Sequence, residues 1–352
     1  MHMNEGGQSP AAEASRIPVF ILTGFLGAGK TTLLRDLLLR PEFAYTAVII
    51  NEVGEAVVDR MLFDGRGVEP ILLEGGCICC ALVEDVGYTL RDLHEKRRQG
   101  LIAPFRRVII ETTGIADPAP VIQRILTDAW ISRHFTVGPV LALADVSSIG
   151  HSLETTQEAA VQIALADRVV LTKADLVAAE AVSTAEVQVR GLNPQVRMTV
   201  AEQGVVPSDF ILSPRSQDAT WQAETLPGGG TDFHHGHLHD GEEHAGGLST
   251  ASVTIAGPLM WADVARTLDC VFNRHRTRLL RVKGVLDIVG VPGPVAINGV
   301  QGVFYPPEVL PGWCDAQRQC RIVLIGKGID PEQVVSEILE GFGVAAASET
   351  SN

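Results

Sequence analysis

Short apolar runs alternate with amphipathic segments through the first ~200 residues of the chain. The runs are rich in Val, Ile and Leu, as in parallel strands buried on both faces, and the amphipathic segments have the apolar spacing of helices. Strands are predicted at 19–23, 47–51, 70–73, 107–111, 139–144, 169–172 and 196–200, and helices at 31–39, 83–98, 118–126, 153–166 and 178–190. This alternation predicts an α/β fold with a mostly parallel sheet flanked by helices.

The pattern changes after this region. Residues 213–248 lack periodicity and are rich in Gly, Ser, Asp and His, which predicts a flexible linker. Further strands at 251–255, 278–289, 294–300 and 321–325, with helices at 260–272 and 331–342, predict a small α+β domain. The predicted organisation is therefore a disordered segment at 1–16, an α/β domain at 17–212, the linker, an α+β domain at 249–345 and a disordered tail at 346–352.

The composition and net charge of the chain argue against some classes of function. Hydrophobic residues make up 46% of the 352 residues, enough for a core, and the net charge is −14. Such a charge argues against a nucleic-acid binder, because neutralising phosphates takes clustered Lys and Arg. The chain has neither a basic-then-apolar signal sequence nor a run near the ~20 apolar residues of a membrane helix. We expect a cytoplasmic protein that binds neither nucleic acid nor membrane.

Residues 24–31 match the phosphate-binding motif G-x-x-x-x-G-K-[ST], between a predicted strand and a predicted helix. Small residues let backbone N–H groups turn toward phosphates, and the helix N-terminus adds positive potential. Lys30 is predicted to reach the β- and γ-phosphates, and the Thr31 hydroxyl to bind Mg²⁺. The predicted nucleotide-binding residues here are Gly24, Gly27, Ala28, Gly29, Lys30, Thr31 and Thr32.

A second motif, Thr172-Lys173-Ala174-Asp175, follows a later strand and indicates guanine. The Asp175 carboxylate can accept hydrogen bonds from N1–H and the exocyclic amine of guanine, which adenine does not supply together, and the Lys173 stem can pack over the ring. Thr172, Lys173 and Asp175 are therefore predicted to bind the base. The alternative is an ordinary helix start with Asp175 as its cap.

Two carboxylates follow other strands. Glu111 opens the sequence E-T-T-G at the end of a predicted strand, where a P-loop sheet places an acid beside Mg²⁺. We predict that Glu111 holds Mg²⁺ with Thr31 and contributes to catalysis with Lys30 and Thr31. Glu52, in N-E-V-G-E, lies in a predicted switch segment. A solvated turn is the alternative for both.

A cluster of three cysteines, C-x-C-C, follows two glycines: Cys77, Cys79 and Cys80. In a reducing compartment such a cluster indicates a metal site, because thiolates favour Zn²⁺, Cu(I) and related ions. Glu52 or a water could complete tetrahedral coordination. Buried structural cysteines and thiol redox chemistry are the alternatives. In the linker, His234, His235, His237, His239 and His244 could capture metal weakly, or be incidental.

In this order the five motifs resemble the CobW family of GTPases, which is related to the urease and hydrogenase nickel-insertion GTPases. Residues 280–284 and 298–302 are similar to the small C-terminal domain of that family. The resemblance implies a P-loop GTPase domain and a GTP-hydrolysing metallochaperone that uses GTP, Mg²⁺ and Zn²⁺ or Co²⁺. It also implies a client metalloprotein and pairing into a homodimer when loaded.

Other functions stay open at this point. Cobalt delivery in cobalamin biosynthesis lies within the same family. A non-enzymatic metal buffer would use the cysteines and histidines alone, although the intact phosphate-binding motif argues against it. A nucleotide kinase or ATPase without a metal role would need a different base, which residues 172–175 argue against.

Overall fold

Two β-sheets, one parallel and one antiparallel, organise the computed structural model of the chain. The structure describes residues 16–50, 70–72, 81–215, 218, 247–313 and 318–344. The predictions for Glu52, for the three clustered cysteines and for the five linker histidines lie outside these residues. Among the described residues, no helix combines the length and the apolar character that crossing a membrane needs.

The first sheet has seven parallel strands in the order β3-β2-β4-β1-β5-β6-β7. They are β1 (Ile17–Gly24), β2 (Thr46–Ile50), β3 (Pro70–Leu72), β4 (Arg107–Glu111), β5 (Phe135–Asp145), β6 (Arg168–Thr172) and β7 (Arg197–Val200). The helices of this domain are α1 (Lys30–Leu38), α2 (Ala81–Arg98), α3 (Ala119–Thr127), α4 (Ile131–His134), α5 (Ile149–Thr155), α6 (Gln157–Leu165), α7 (Ala179–Leu192) and α8 (Ser208–Leu212). The predicted α/β fold with a parallel sheet is confirmed.

Helices cover both faces of this sheet, so neighbouring residues of a strand enter different cores. On β1, Val19 and Ile21 belong to one apolar cluster, whereas Phe20 and Leu22 belong to the other. This explains the continuous apolar runs in the sequence, because a strand buried on both faces has no polar side.

The register aligns the carboxyl ends of four adjacent strands. Leu22 of β1 is opposite Glu111 of β4, Glu111 is opposite Ile50 of β2, and Ile50 is opposite Leu72 of β3. The segments that follow these strands therefore all start from one edge of the sheet, the edge where ligands bind in open α/β folds.

The second sheet is antiparallel, in the order β11-β10-β9-β13-β8, with β12 paired to β10. Its strands are β8 (Leu248–Ala256), β9 (Leu279–Leu286), β10 (Val295–Val300), β11 (Val303–Phe304), β12 (Glu308–Val309) and β13 (Gln319–Lys327). Two helices, α9 (Trp261–Arg274) and α10 (Pro331–Gly341), pack on it through Val264, Leu268 and Ile338.

Three features differ from the sequence prediction. β5 begins at Phe135 rather than 139, because a register shift opposite Gly138 and Pro139 lets the strand continue through the proline. The helix predicted at 153–166 is divided into α5 and α6 by Thr156, whose backbone is extended. The predicted linker 213–248 also differs at its start, since Asp218 is buried in an ion pair with Arg168, 2.8 Å from Oδ2 to Nε.

Candidate nucleotide-binding site

The turn between β1 and α1 depends on glycine. Gly27 and Gly29 have φ values of 74° and 93°, a region that side chains disfavour. A Cβ on Gly24 would lie 2.5 Å from the Leu143 carbonyl oxygen of β5, closer than atoms can approach. The chain can therefore form this loop only with the glycines of the motif.

Lys30 starts α1 and folds its side chain back over the loop. Its Nζ donates hydrogen bonds to the carbonyl oxygens of Gly24, at 2.8 Å, and Phe25, at 3.3 Å, and the side chain is buried. Because Gly29 precedes the first helical turn, the positive end of the helix dipole also points into the loop. Both features favour a bound phosphate chain.

Thr31 and Glu111 meet beside this loop. Thr31 Oγ1 donates a hydrogen bond of 2.6 Å to Glu111 Oε1, and the Glu111 side chain is buried at the end of β4. The next residue, Thr112, anchors the turn by donating from its Oγ1 to Thr23 Oγ1 at 2.9 Å. A hydroxyl next to a carboxylate provides two hard oxygen ligands, which are the kind that Mg²⁺ prefers, so the residues present fit this ion.

The turn that follows Glu111 packs on the phosphate-binding loop. A Cβ on Gly114 would lie 2.8 Å from the backbone N of Leu26, so only glycine allows this approach. Gln162 of α6 fixes the same turn: its buried Nε2 donates to the carbonyl oxygens of Gly114, at 3.1 Å, and Ala116, at 3.0 Å. Sequence analysis missed Gln162, although an amide within the apolar run 159–165 was a usable signal.

The guanine motif lies next to the same loop. Thr172 Oγ1 donates to the Ala28 carbonyl oxygen at 3.0 Å, and the Lys173 backbone is left-handed with φ 57°. Lys173 Nζ pairs with Asp145 Oδ2 at 2.6 Å, while Asp175 is exposed. The motif is thus held beside the loop with its carboxylate open to a ligand.

Asp145, at the end of β5, is a second residue that sequence analysis missed. Burial acts to raise the pKa of this carboxyl, but hydrogen bonds from Lys173 and Ser147 outweigh it and hold the pKa below its ordinary value. The ionised carboxylate therefore orients the Lys173 side chain. Its signal in the sequence was an acid closing a strand, as at Glu111.

No group of three or more His, Cys, Asp or Glu suited to a metal ion occurs in the part of the chain that the structure describes. The predicted metal ligands Cys77, Cys79, Cys80 and Glu52 lie between described segments. The segment with the cysteines connects β3, which ends at Leu72, to α2, which begins at Ala81.

The parallel sheet, the glycine-dependent loop and the neighbouring predicted guanine motif are the features of a nucleotide hydrolase of the P-loop GTPase class. Residues 18–200 match the family model described as CobW/HypB/UreG, nucleotide-binding domain, and residues 248–341 match that of the cobalamin synthesis protein cobW C-terminal domain. The chain belongs to the CobW/HypB/UreG family and is a GTPase.

Named relatives cover almost the whole chain. It is 31% identical over 318 residues to the zinc chaperone YjiA of Escherichia coli, across 90% of this chain and 96% of that protein. It is 26% identical to the zinc-regulated GTPase metalloprotein activator 1 of Saccharomyces cerevisiae, across 93% and 84% of the two proteins. The crystal structure of Zn(II)-bound YjiA GTPase from E. coli aligns with a TM-score of 0.71 at 27% identity, covering 93% of this chain and 99% of that one.

Proposed function

We propose that this GTPase is a metallochaperone that binds Zn²⁺ or Co²⁺ at Cys77, Cys79 and Cys80, with Glu52, and delivers the ion to a client metalloprotein. In this proposal Lys30 and the loop bind the phosphates of GTP, and Thr31 and Glu111 hold Mg²⁺. Thr172, Lys173 and Asp175 bind guanine. Release of the cargo ion is coupled to GTP hydrolysis.

The aligned strand ends of the first sheet carry this proposal. Glu111 ends β4, and Ile50 and Leu72, at the same level on β2 and β3, precede Glu52 and the cysteines respectively. Neighbouring strands are ~4.8 Å apart, so the β3 end lies roughly 10 Å from the β4 end. A chain leaving β3 is therefore close enough to respond to the nucleotide site.

The proposed coupling is thermodynamic linkage between the two sites. Lys30 and the loop amides favour the triphosphate, and Glu111 positions Thr31 for Mg²⁺, which when bound neutralises charge on the β- and γ-phosphates. If the GTP-bound form orders residues after β2 and β3, cargo affinity rises in that form. By reciprocity the cargo ion must also tighten GTP binding.

The names of the relatives support zinc as the first cargo to test. Both YjiA and the CobW protein of Pseudomonas aeruginosa, which is 29% identical to this chain, are named zinc chaperones. Thiolates bind Zn²⁺ and Co²⁺ with similar geometry, so the donor set alone does not choose between them.

The test is the affinity of the full chain for Zn²⁺ and for Co²⁺, measured with a non-hydrolysable GTP analogue and with GDP. We expect at least about tenfold tighter binding with the analogue, a coupling of ~1.4 kcal/mol. The Cys77→Ser, Cys79→Ser, Cys80→Ser triple variant should lose this binding. Cys270→Ser, which changes an exposed thiol on α9, is the matched control.

Two results would contradict the proposal separately. Equal affinities in the two nucleotide states would reject the coupling. Unchanged binding in the triple cysteine variant would reject the site, even if the nucleotide dependence remained.

A further inference from the structure

A cavity of about 60 Å³ lies between the two domains, away from the nucleotide site. The first domain contributes Asp167, Gln195, Arg215 and Asp218 to its lining, and the second contributes Lys283, Asn298, Tyr305 and Glu308. A buried water needs ~10–15 Å³ on this measure. The space would hold about four waters or one compact ligand.

One fully buried carboxylate, Asp167, stands among three cations at this cavity. Arg281 donates to its Oδ1, Lys283 Nζ lies 3.5 Å from the same oxygen, and Arg215 Nη1 lies 4.0 Å from Oδ2. The backbone N of Val140 also donates to Asp167 Oδ2, at 3.0 Å. Asp167 alone therefore balances only one of three neighbouring positive charges.

A second ion pair does not remove this surplus. Arg168 and Asp218 are buried partners, 2.8 Å apart, and Arg197, which is exposed, lies 3.4 Å from the other Asp218 oxygen. The remaining acid of the lining, Glu308, is exposed at the rim. Among the described residues, the buried part of the cluster thus carries two more positive than negative charges.

Four polar side-chain atoms of residues that line the cavity are buried and have no hydrogen bond among the described residues. They are Gln195 Nε2, Arg215 Nη1, Asn298 Oδ1 and Tyr305 Oη, all buried. Buried polar groups without partners cost stability, so native proteins satisfy nearly all of them. Three of these four atoms can donate, and they come from both domains.

The pKa of Lys283 is lowered by its burial and by this excess of positive charge. Burial first, and then the nearby Arg281, lowers the pKa of its ammonium to about 8. An anion in the cavity would oppose both effects, because it would supply the missing negative charge and a hydrogen-bond acceptor.

We propose that this cavity binds a compact oxyanion, a phosphate group, between the two domains. Two surplus positive charges match a phosphate dianion, and Gln195, Arg215, Lys283 and Tyr305 can donate from several sides to a tetrahedral acceptor. The bound group touches both domains and so stabilises their docking. The phosphate is either free inorganic phosphate or the end of a phosphomonoester that extends past Glu308. This inference is independent of metal delivery.

Ligand-induced stabilisation of the full chain tests the proposal. The protein is saturated with a non-hydrolysable GTP analogue and Mg²⁺, so that the phosphate-binding loop is occupied, and its Tm is followed against inorganic phosphate at constant ionic strength set with chloride. We expect a saturable rise in Tm, since a ligand that binds only the folded state stabilises it. Calorimetric titration under the same conditions gives Kd.

Substitutions inside and outside the cavity show where phosphate binds. Lys283→Met should raise the Kd for phosphate at least about tenfold, and Tyr305→Phe, which keeps the ring against Arg215, about threefold or more. Lys327→Met removes the same charge where Nζ contacts Gln157 between the domains, outside the cavity lining, and should leave Kd unchanged. Tyr305→Phe keeps the test decisive if Lys283→Met does not fold.

Comparing two ligands distinguishes the two sources of phosphate. Tighter binding of glycerol phosphate than of inorganic phosphate would favour a phosphomonoester, and the reverse order would favour the free ion. The absence of saturable binding in the wild type would overturn the proposal and assign the cavity to water. Equal Kd values in the wild type, Lys283→Met and Tyr305→Phe would overturn it as well.

Discussion

The hydrogen bond between Thr31 and Glu111 joins residues 80 positions apart, and it is the contact on which the proposed Mg²⁺ site rests. Glu111→Gln keeps the volume and an acceptor for Thr31 but removes the charge that a divalent cation requires. We expect the Mg²⁺ concentration for half-maximal GTP hydrolysis to rise at least about tenfold, with a lower kcat. Glu158→Gln, on the exposed face of α6, is the control. An unchanged Mg²⁺ dependence would remove Glu111 from the site.

Asp175 is the residue on which base selection is predicted to depend. Asp175→Asn replaces two acceptor oxygens by an amide that can donate, so we expect GTP affinity to fall by about 100-fold or more and affinity for xanthosine triphosphate to increase. Inosine triphosphate, which lacks the exocyclic amine, should bind the wild type more weakly than GTP. Competition binding measures all three, and unchanged selectivity in Asp175→Asn would mean that Asp175 acts only as a cap.

At the scale of single residues, the sequence predicted those whose side-chain chemistry a ligand requires and whose place in a motif or at a strand end is recognisable. Lys30, Thr31 and Glu111 belong to this group, and the structure brings them together. Gln162 and Asp145 were missed because their partners, Gly114 and Lys173, are far away in sequence. The local pattern marks such a side chain as unusual but does not show which distant turn or side chain it positions.

Among the elements, the turn after β4 controls the shape of the phosphate-binding loop through Gly114. Gly114→Ala would place a Cβ 2.6–2.8 Å from Leu26 atoms, so the loop must shift. We expect a rise in the Kd for GTP of about tenfold or more, measured by titration of a fluorescent analogue. Gly312→Ala, where a Cβ meets open space, is the control. Equal affinity in both variants would show that the loop tolerates the shift.

Among the described residues, apolar periodicity located every strand of the first sheet, usually within two or three residues. The predicted start of β5 was wrong, because Gly138 and Pro139 usually end a strand but here lie within one. Periodicity also missed α4, α8 and the short strands β11 and β12, because elements of two to five residues span less than two periods and so show no repeat.

The buried cluster around Asp167 joins the two domains, and its charges make the stability of the whole molecule sensitive to substitution. Asp167→Asn would leave Arg281, Lys283 and Arg215 without their shared carboxylate, so we expect a loss of about 3 kcal/mol or more in the free energy of unfolding. Asp269→Asn, on the exposed side of α9, should change it by less than ~0.5 kcal/mol. Denaturant unfolding compares the two, and equal losses would contradict the argument.

Lys283 should also make stability depend on pH. Its pKa is about 8 in the folded chain and ~10.4 when unfolded, so between these values the unfolded state binds more protons. In phosphate-free buffer, the wild type should gain stability relative to Lys283→Met as pH rises from about 8 to 10, and the difference should be constant below this range. Thermal unfolding of both variants across this range checks it. A flat difference throughout would mean that Lys283 titrates normally.

Sequence predicted two domains but neither the strand order nor this cluster. Strand order depends on how helices cross the sheet, and periodicity carries no such information. The cluster draws Arg215 and Asp218 from a segment that composition assigned to a linker.

Strand β6 meets two different parts of the protein at its two ends. Arg168 and the preceding Asp167 belong to the domain junction, and Thr172 leads into the residues predicted to recognise the base. Further hydrogen bonds across the junction involve Asp117, just before α3, Gln123 on α3, and Gln157 and Leu165 on α6. The C-terminal domain is thus fastened to the start of β6 and to the segments of α3 and α6, whereas the cysteines follow β3, the edge strand at the other end of the sheet from β7. Under the proposed function, a metal ion held after β3 would therefore be exchanged without breaking any of these junction bonds.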